Sequence, residues 1–105
     1  MVAMKTASLK GVSGDNYSFK VYDVDIKFTD EISVIYCFAK QDEILYVGQT
    51  ENLQQRMRDH EKLPLAKKLG CKYILVMETP EDELNSVEQD IAAYYNPQLN
   101  VYLTN

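Results

Sequence analysis

Residues 32–39, ISVIYCFA, form a nearly continuous run of β-branched and aromatic residues. Such a run is typical of a strand that is buried on both faces inside a sheet. The KQDE segment at 40–43 is a short turn, and ILYVG at 44–48 has the composition of a second strand. Together these segments predict an antiparallel hairpin within a small sheet.

The chain before and just after this hairpin carries further signals. YSFKVYDVDIKF, residues 17–28, alternates like a strand but changes phase at Tyr22, which predicts a half-buried strand with a bulge. GVSGDN at 11–16 predicts a loop or hairpin tip. After the hairpin, a helix is expected from Asn52, a good N-cap residue, to about Glu61.

The last third of the chain adds two helices and a strand. LPLAKKLG, residues 63–70, predicts a short helix, and CKYILVME, residues 71–78, predicts a buried strand. Thr79 as N-cap and Pro80 at the first helical position predict a longer helix, followed by an extended tail at 98–103. The fold class is therefore α+β, a small antiparallel sheet of three core strands and an N-terminal extra strand, flanked by helices.

The length and cysteine content bound the class of protein. A chain of 105 residues with 46% hydrophobic residues can form one domain with its own core. Cys37 and Cys71 fit neither a disulfide framework nor a metal-ligand spacing, so we expect buried free thiols in a reducing compartment. The N-terminal residues do not resemble a signal peptide, and no segment approaches membrane-spanning length. These features predict a cytoplasmic protein without a membrane partner.

The charge is unevenly distributed along the chain. Residues 52–72 contain six basic and two acidic residues, a balance of +4, so the remainder must sum to −9 to give the net charge of −5. The basic segment could attract phosphate, but it is equally compatible with a solvated helical surface.

Polar residues fall on helix faces that should be apolar. Leu53, Arg56, Met57 and His60 have the spacing of one stripe of the predicted helix. Glu88 lies on or beside the apolar stripe of the last helix. An unpaired buried carboxylate is costly, so Glu88 should face a cation, a metal or an open cleft. The structural alternative is a salt bridge, for example with Arg56, or a place at the solvent boundary.

Two tyrosines belong to the same question. Tyr36 and Tyr46 lie on the two strands of the predicted hairpin and could be near neighbours on one face. Each by itself fits ordinary cross-strand packing. Taken together with Arg56, His60 and Glu88, they form a set suited to metal-assisted hydrolysis of a phosphodiester.

Five short segments carry a resemblance. VIY (34–36), YVG (46–48), NLQQRMRDH (52–60), VEQDI (87–91) and NPQLN (96–100) resemble, in order, the motifs of the GIY-YIG nuclease family. Each segment is weak alone, whereas five in order and in register are a strong signal.

The spacing of the matched residues agrees with the family pattern. Tyr46 and Arg56 are ten residues apart, and His60 follows Arg56 by four. The resemblance implies the family's small antiparallel sheet with flanking helices. It also divides the chain into an N-terminal extension at 1–32, an added strand or hairpin, and a GIY-YIG-like nuclease domain at 33–105.

The resemblance implies a role for each matched polar residue. Tyr36 would orient or activate the attacking water, and Tyr46 would share that work or contact the phosphate. Arg56 would stabilise charge on the phosphate, and His60 would assist proton transfer. Glu88 would coordinate a single divalent metal, Mg²⁺ or Mn²⁺.

The remaining matches concern the frame of the site and the substrate. Gly48 would allow a tight turn between strand and helix, and Asn100 would support the site. Val34 stands where the family has a glycine, whose role is in backbone packing rather than chemistry. The polar residues of the family's site are all present. DNA is the expected substrate. The residues expected to bind it are Arg58, Lys67, Lys68 and Asn100.

Two other functions stay open at this point. The chain could be a non-catalytic or partner-dependent interaction module that keeps the fold, or a nuclease acting on RNA or a structured nucleic acid. An acidic chain with one basic segment would hold DNA weakly. A protein partner or a homodimer would then supply the targeting.

Overall fold

The computed structural model describes residues 2–100. The strands are β1 (Lys5–Lys10), β2 (Asn16–Asp23), β3 (Val34–Ala39), β4 (Ile44–Thr50) and β5 (Tyr73–Glu78). The helices are α1 (Leu53–Arg58), α2 (Leu63–Lys68) and α3 (Leu84–Tyr95), the last preceded by a 3₁₀ turn at Glu81–Glu83. No helix within this part of the chain is long and apolar enough to cross a membrane.

The five strands form one sheet in the order β1-β2-β5-β3-β4, and all neighbours are antiparallel. Every residue of β3 is buried, because this strand has a partner on each side and a helical layer on each face. The predicted α+β fold and the β3–β4 hairpin are therefore confirmed. β4 is an edge strand of the sheet, which exposes one side of its backbone to other parts of the chain.

Two hydrophobic clusters cover the two faces of the sheet. The residues of β3 alternate between them, so that Ile35 and Cys37 belong to one cluster and Tyr36 and Phe38 to the other. Helix α3 packs on the first face through Ile91, whereas α1 and α2 pack on the second. The chemistry-bearing tyrosines thus lie on the side of α1 and α2, and α3 lies on the other side.

The predicted strand at 17–28 is too long. β2 ends at Asp23, where the carboxylate accepts a hydrogen bond from Asp25 N at 2.9 Å and turns the chain. The change of phase at Tyr22 therefore marks the approach to the end of the strand, and the predicted bulge is wrong. The connection that follows covers the start of α1, since Leu53 N donates to Ile32 O at 3.0 Å.

The residues before this connection form a hairpin of β1 and β2, so the sheet has five strands where four were expected. β2 also pairs with β5, which joins the hairpin to the three core strands. The turn at 11–15 is closed by a hydrogen bond from Gly11 N to Asp15 O at 3.0 Å. Gly14 has φ +95°, a conformation that favours glycine.

The helix ends differ from the prediction in two places. Asn52 caps α1 as expected, accepting from Gln55 N at 3.0 Å, but α1 ends at Arg58 rather than near Glu61. The cap predicted at Thr79 is wrong, since its hydroxyl donates to Met77 O at 2.9 Å. Pro80 is extended, with ψ 145°, so the chain enters a 3₁₀ turn before α3 begins. The predicted tail at 98–103 is described to Asn100, and the rest lies outside the described residues.

Candidate active site

Tyr36 lies at the centre of the aromatic cluster beneath α1 and α2. It is 1% exposed, and its ring contacts those of Phe38 and Tyr46 at centroid distances of 5.6 and 6.1 Å. Its hydroxyl lies 2.6 Å from His60 Nε2. Burial raises the pKa of Tyr36, and the guanidinium of Arg56 opposes this only in part, so the side chain is a phenol at neutral pH.

His60 lies in the short loop between α1 and α2, so the expectation that it lies on the helix is wrong. It is nevertheless 4% exposed, as the predicted stripe required. Burial lowers its pKa to about 4, and the charge of Arg56 adds to the effect, so the imidazole is neutral at pH 7.

The hydrogen bonds of His60 fix its tautomer. Lys62 N donates to His60 Nδ1 at 3.0 Å, so Nδ1 is the acceptor nitrogen. A neutral imidazole then carries its proton on Nε2. His60 therefore donates to the hydroxyl oxygen of Tyr36, which leaves the proton of Tyr36 free to point elsewhere.

Tyr46 lies on β4, on the same side of the sheet as Tyr36. Its ring stacks on Phe38 at 5.5 Å and meets the His60 ring edge-on at 5.4 Å. Unlike Tyr36 it is only partly buried, and it reaches the surface at the edge of the sheet. Burial still raises the pKa of Tyr46, and the hydrogen bond with Tyr36 and the charge of Arg56 partly offset this rise.

Gly48 has a different role from the one expected. It lies within β4, directly opposite Tyr36 in the register, and not in a turn. A Cβ at this position would lie 2.6 Å from both Cζ and Oη of Tyr36 and 2.8 Å from Cε2 of Tyr46. Glycine is therefore required because the two tyrosine rings occupy the space of its side chain.

Arg56 is paired with a neighbour in the sequence. Its Nη1 and Nη2 donate to Oε2 and Oε1 of Glu61 at 3.0 and 2.8 Å, a bidentate pair. The guanidinium lowers the pKa of Glu61 to about 2, mainly through these hydrogen bonds. The salt bridge between Arg56 and Glu88 that the sequence left open is not formed; Glu61 takes that place.

Glu88 is half-buried on α3 and accepts a hydrogen bond from Gln49 Nε2 at 2.9 Å. The same nitrogen donates to Asn85 Oδ1 at 2.7 Å, so Gln49 joins β4 to α3. Within residues 2–100, no lysine, arginine or histidine forms an ion pair with Glu88. In the described part of the chain, the carboxylate is thus oriented by an amide and forms no ion pair with a cationic side chain.

Tyr46 and Glu88 face one open cavity of about 530 Å³, which we call the cleft. It lies at the β4 edge, where the face of the tyrosines meets α3. Its lining residues are Tyr46, Lys62, Glu88, Gln89, Ala92, Ala93 and Asn100. Tyr36 and His60 lie behind Tyr46, and Arg56 is held at the side by Glu61.

Asn100 closes the free edge of β4 behind the cleft. Its Oδ1 accepts from Val47 N at 2.9 Å, and its Nδ2 donates to Val47 O at 2.8 Å. Leu99 N adds a bond to Leu45 O at 3.0 Å. These contacts satisfy edge groups that a neighbouring strand would otherwise pair, so Asn100 holds the strand that carries Tyr46.

The basic residues expected to bind substrate are all exposed. Arg58 donates to Gln54 Oε1 at 3.2 Å, and Lys67 lies 3.5 Å from Asp25 Oδ1. Neither of them, nor Lys68, lines the cleft. Lys62 does, and sequence reasoning counted it only as part of the basic segment.

The donor set of the cleft fits a hard divalent cation held by few protein ligands. Among residues 2–100 there is no cluster of three or more histidine, cysteine, aspartate or glutamate side chains that could hold a metal. Glu88 is the carboxylate that lines the cleft. Mg²⁺ is commonly bound by one or two carboxylates together with waters and substrate phosphates, so the residues present are compatible with it.

A family model described as the GIY-YIG catalytic domain matches residues 32–97. No curated protein sequence matches the chain significantly.

Among solved structures, the N-terminal endonuclease domain of UvrC from Thermotoga maritima has the same fold. A tyrosine-to-phenylalanine variant of it, bound to its catalytic divalent cation, is 21% identical, with a TM-score of 0.64 over 72% of this chain and 90% of that one. The magnesium-bound form of the same domain is also 21% identical, with a TM-score of 0.63 over 71% and 90%.

Proposed function

Because the chain belongs to the GIY-YIG catalytic-domain family, whose members are metal-dependent endonucleases, we propose that it hydrolyses phosphodiester bonds of DNA in the cleft. The observation that carries the proposal is that the Tyr46 phenol and the Glu88 carboxylate, which forms no ion pair within residues 2–100, line one open cavity. A phenol can orient water and a carboxylate can hold a cation, and both functions serve metal-assisted hydrolysis of a phosphodiester.

Tyr46 is the phenol that reaches the substrate. In the proposed step, water attacks the phosphorus atom and the P–O bond to the leaving alkoxide breaks. Tyr46 orients the water, accepting its proton on the hydroxyl oxygen as the phenol releases its own proton to solvent, and the leaving alkoxide takes up a proton from solvent. Tyr36 is too buried to touch the substrate and is held as a phenol. Together with His60 it fixes the Tyr46 ring from behind, so both act by positioning.

Arg56 binds a phosphate oxygen by exchanging partners. In the free protein, both Nη atoms of the Arg56 guanidinium donate to the Glu61 carboxylate, and a phosphate can accept the same two hydrogen bonds. Since Glu61 is largely exposed, with 66% of its side chain accessible, it can leave without disturbing the core. Glu61 therefore keeps Arg56 ordered until the substrate arrives.

Glu88 is the proposed metal ligand, with Mg²⁺ as the cation and Mn²⁺ as a substitute. When bound, such a cation supplies Lewis-acid stabilisation of the charge that develops on the phosphate. The hydrogen bond from Gln49 fixes one carboxylate oxygen, which orients the group for binding.

Contact with DNA would involve Lys62 inside the cleft and the exposed Arg58, Lys67 and Lys68 outside it. A net charge of −5 opposes DNA binding at long range, so we expect weak and salt-sensitive affinity. A protein partner or a second copy of the chain would raise the affinity. The free buried thiols of Cys37 and Cys71 support a reducing compartment such as the cytoplasm.

Cleavage of labelled nucleic acids tests the function directly. Duplex, branched and single-stranded DNA and RNA are incubated with the protein and Mg²⁺ or Mn²⁺. We expect cleavage of DNA, and a loss of at least about hundredfold in Glu88→Gln, because removing a ligand should cost at least as much as removing a supporting residue. The matched control is Glu78→Gln, an exposed glutamate at the end of β5.

The tyrosine assignment has its own pair of variants. Tyr46→Phe should lose most of the activity, whereas Tyr94→Phe, which removes an exposed phenol on α3, should retain it. Cleavage that survives Glu88→Gln would come from a contaminant and would refute the proposal. Cleavage restricted to RNA would correct the substrate while keeping the site.

A further inference from the structure

The tip of the β1–β2 hairpin is hydrogen-bonded to Asp90 on α3. The Asp90 carboxylate accepts from Ser13 N at 2.9 Å, from Ser13 Oγ at 2.6 Å and from Tyr17 Oη at 2.7 Å. These bonds lower the pKa of Asp90, and the bond to Asp90 is the main cause that raises the pKa of Tyr17 to about 12. The carboxylate is therefore held from several directions by residues at least 73 positions away in the chain.

Backbone N–H groups of the hairpin make further hydrogen bonds along α3. Val12 N donates to Asp90 O at 3.1 Å, and Lys10 N donates to Tyr95 Oη at 2.9 Å. The approach is so close that a Cβ on Gly11 would lie 1.9 Å from Asp90 Oδ2. The hairpin tip and the helix are thus fitted to each other, with no room for a side chain between them.

Buried side chains join the two elements below this polar contact. Leu9 and Phe19 of the hairpin lie in the same hydrophobic cluster as Leu84 and Ile91 of α3. The hairpin therefore holds the helix by apolar packing on its inner face and by the Asp90 contacts at its side.

Glu88 projects from the opposite side of the same helix. Asp90 follows Glu88 by two positions, which is about 200° around the axis of an α-helix. In agreement, Asp90 lines a surface cavity with Ser13 and Tyr17, whereas Glu88 lines the cleft with Tyr46. The hairpin thus holds α3 from the side away from the cleft.

We propose that the N-terminal hairpin is a brace for the metal-binding carboxylate, and that Asp90 is a positioning residue for Glu88. The proposal rests on the proposed function, because it gives Glu88 that role. The hairpin precedes the part of the chain that matches the family, which begins at residue 32. Since one carboxylate of α3 faces the cleft, the site depends on where the helix lies, and a displacement of ~1 Å can cost about hundredfold in rate.

The test compares Asp90→Ala with Asp42→Ala, which removes the same charge from the exposed β3–β4 turn. Four quantities are measured well below the unfolding temperature: the Mn²⁺ dissociation constant without DNA, kcat and KM for a DNA duplex, and the NMR shift of the Gln49 side-chain amide. In Asp90→Ala we expect Mn²⁺ binding about tenfold weaker and kcat reduced by a similar factor, as for loss of a supporting residue. KM for DNA should stay within about twofold, and Asp42→Ala should match the parent protein.

The Gln49 amide keeps the test independent of metal and DNA, because this group donates to Glu88. A shift of its resonance in Asp90→Ala supports the brace even if the parent protein neither binds Mn²⁺ nor cleaves DNA, which would refute only the proposed function. If Asp90→Ala fails to fold, Tyr17→Phe removes a single bond to Asp90 and should show the same changes at smaller size. A folded variant with unchanged Gln49 resonance, Mn²⁺ affinity and kcat would overturn the proposal.

Discussion

The two walls of the cleft are built in different ways. One wall comes from a continuous stretch, residues 36–62, in which Tyr36, Tyr46 and His60 pack against one another and fix their own geometry. The other wall is α3, which carries Glu88 and is held at Asp90 by hydrogen bonds from Ser13 and Tyr17 of the N-terminal hairpin. The wall with the tyrosines is therefore built mostly by local contacts, whereas the helix that carries the proposed metal ligand is held by a distant part of the chain.

The largest effect on stability and cleavage should come from adding a side chain at Gly48, where the rings of Tyr36 and Tyr46 occupy the space. Gly48→Ala places a Cβ 2.6 Å from Tyr36, whose ring is buried and cannot retreat. Overpacking of this kind costs about 1–3 kcal/mol, so we expect a lower unfolding temperature together with a loss of cleavage. Thermal unfolding and a nuclease assay on the folded protein measure the two effects.

Gly70→Ala is the control for that variant. Gly70 has φ +97°, and a Cβ at this position would lie 3.7 Å from Lys40 Cε, so alanine there is strained but touches neither tyrosine. It should lower stability while leaving the cleavage rate of the folded protein intact. Equal loss of cleavage in both variants would show that general destabilisation, and not the tyrosine wall, limits activity.

A smaller effect, on DNA affinity, is expected from the ion pair between Arg56 and Glu61. Glu61→Gln weakens the pair that holds Arg56, so phosphate should displace it more easily and DNA should bind several-fold more tightly. Asp59→Asn removes the same charge from an exposed neighbour that forms no ion pair within residues 2–100. Fluorescence anisotropy with a DNA duplex measures both affinities. Equal tightening in the two variants would mean that net charge alone is responsible.

The smallest perturbation is a titration of the parent protein. Its sole histidine gives one set of imidazole NMR signals, and they should titrate near pH 4 rather than 6.5. Because the folded pKa lies below the unfolded one, the stabilising contribution of neutral His60 is complete above pH 6.5. It is lost as the pH falls from 6.5 to 4, by up to about 3 kcal/mol. A midpoint near 6.5 would show that His60 is not buried beneath the tyrosines.

Much of the fold could be predicted, because the buried strands and short helices have local signals. β3 is a continuous apolar run, and Asn52 caps α1 as expected. The errors arose where a local pattern was followed too far. Residues after Asp23 keep an apolar alternation because they pack over α1 and α2, although they form no ladder. Thr79 looked like a cap, but its hydroxyl bonds backward to Met77.

The candidate site was predictable to the same extent. Tyr46 and Glu88 were selected from their motifs, and the structure brings them to one cleft. The contacts of Gln49 and Asp90 could not be predicted, since each joins residues at least 36 positions apart and neither has a sequence signal of its own.

The most direct test of the central claim, that Glu88 holds a divalent metal opposite Tyr46, is paramagnetic NMR with Mn²⁺. In protein with labelled tyrosines, Mn²⁺ should broaden the Tyr46 signals at lower concentration than those of Tyr17 and Tyr22, which lie on β2. Glu88→Gln should abolish that selective broadening. Broadening that is uniform among the tyrosines, or that persists unchanged in Glu88→Gln, would contradict the account.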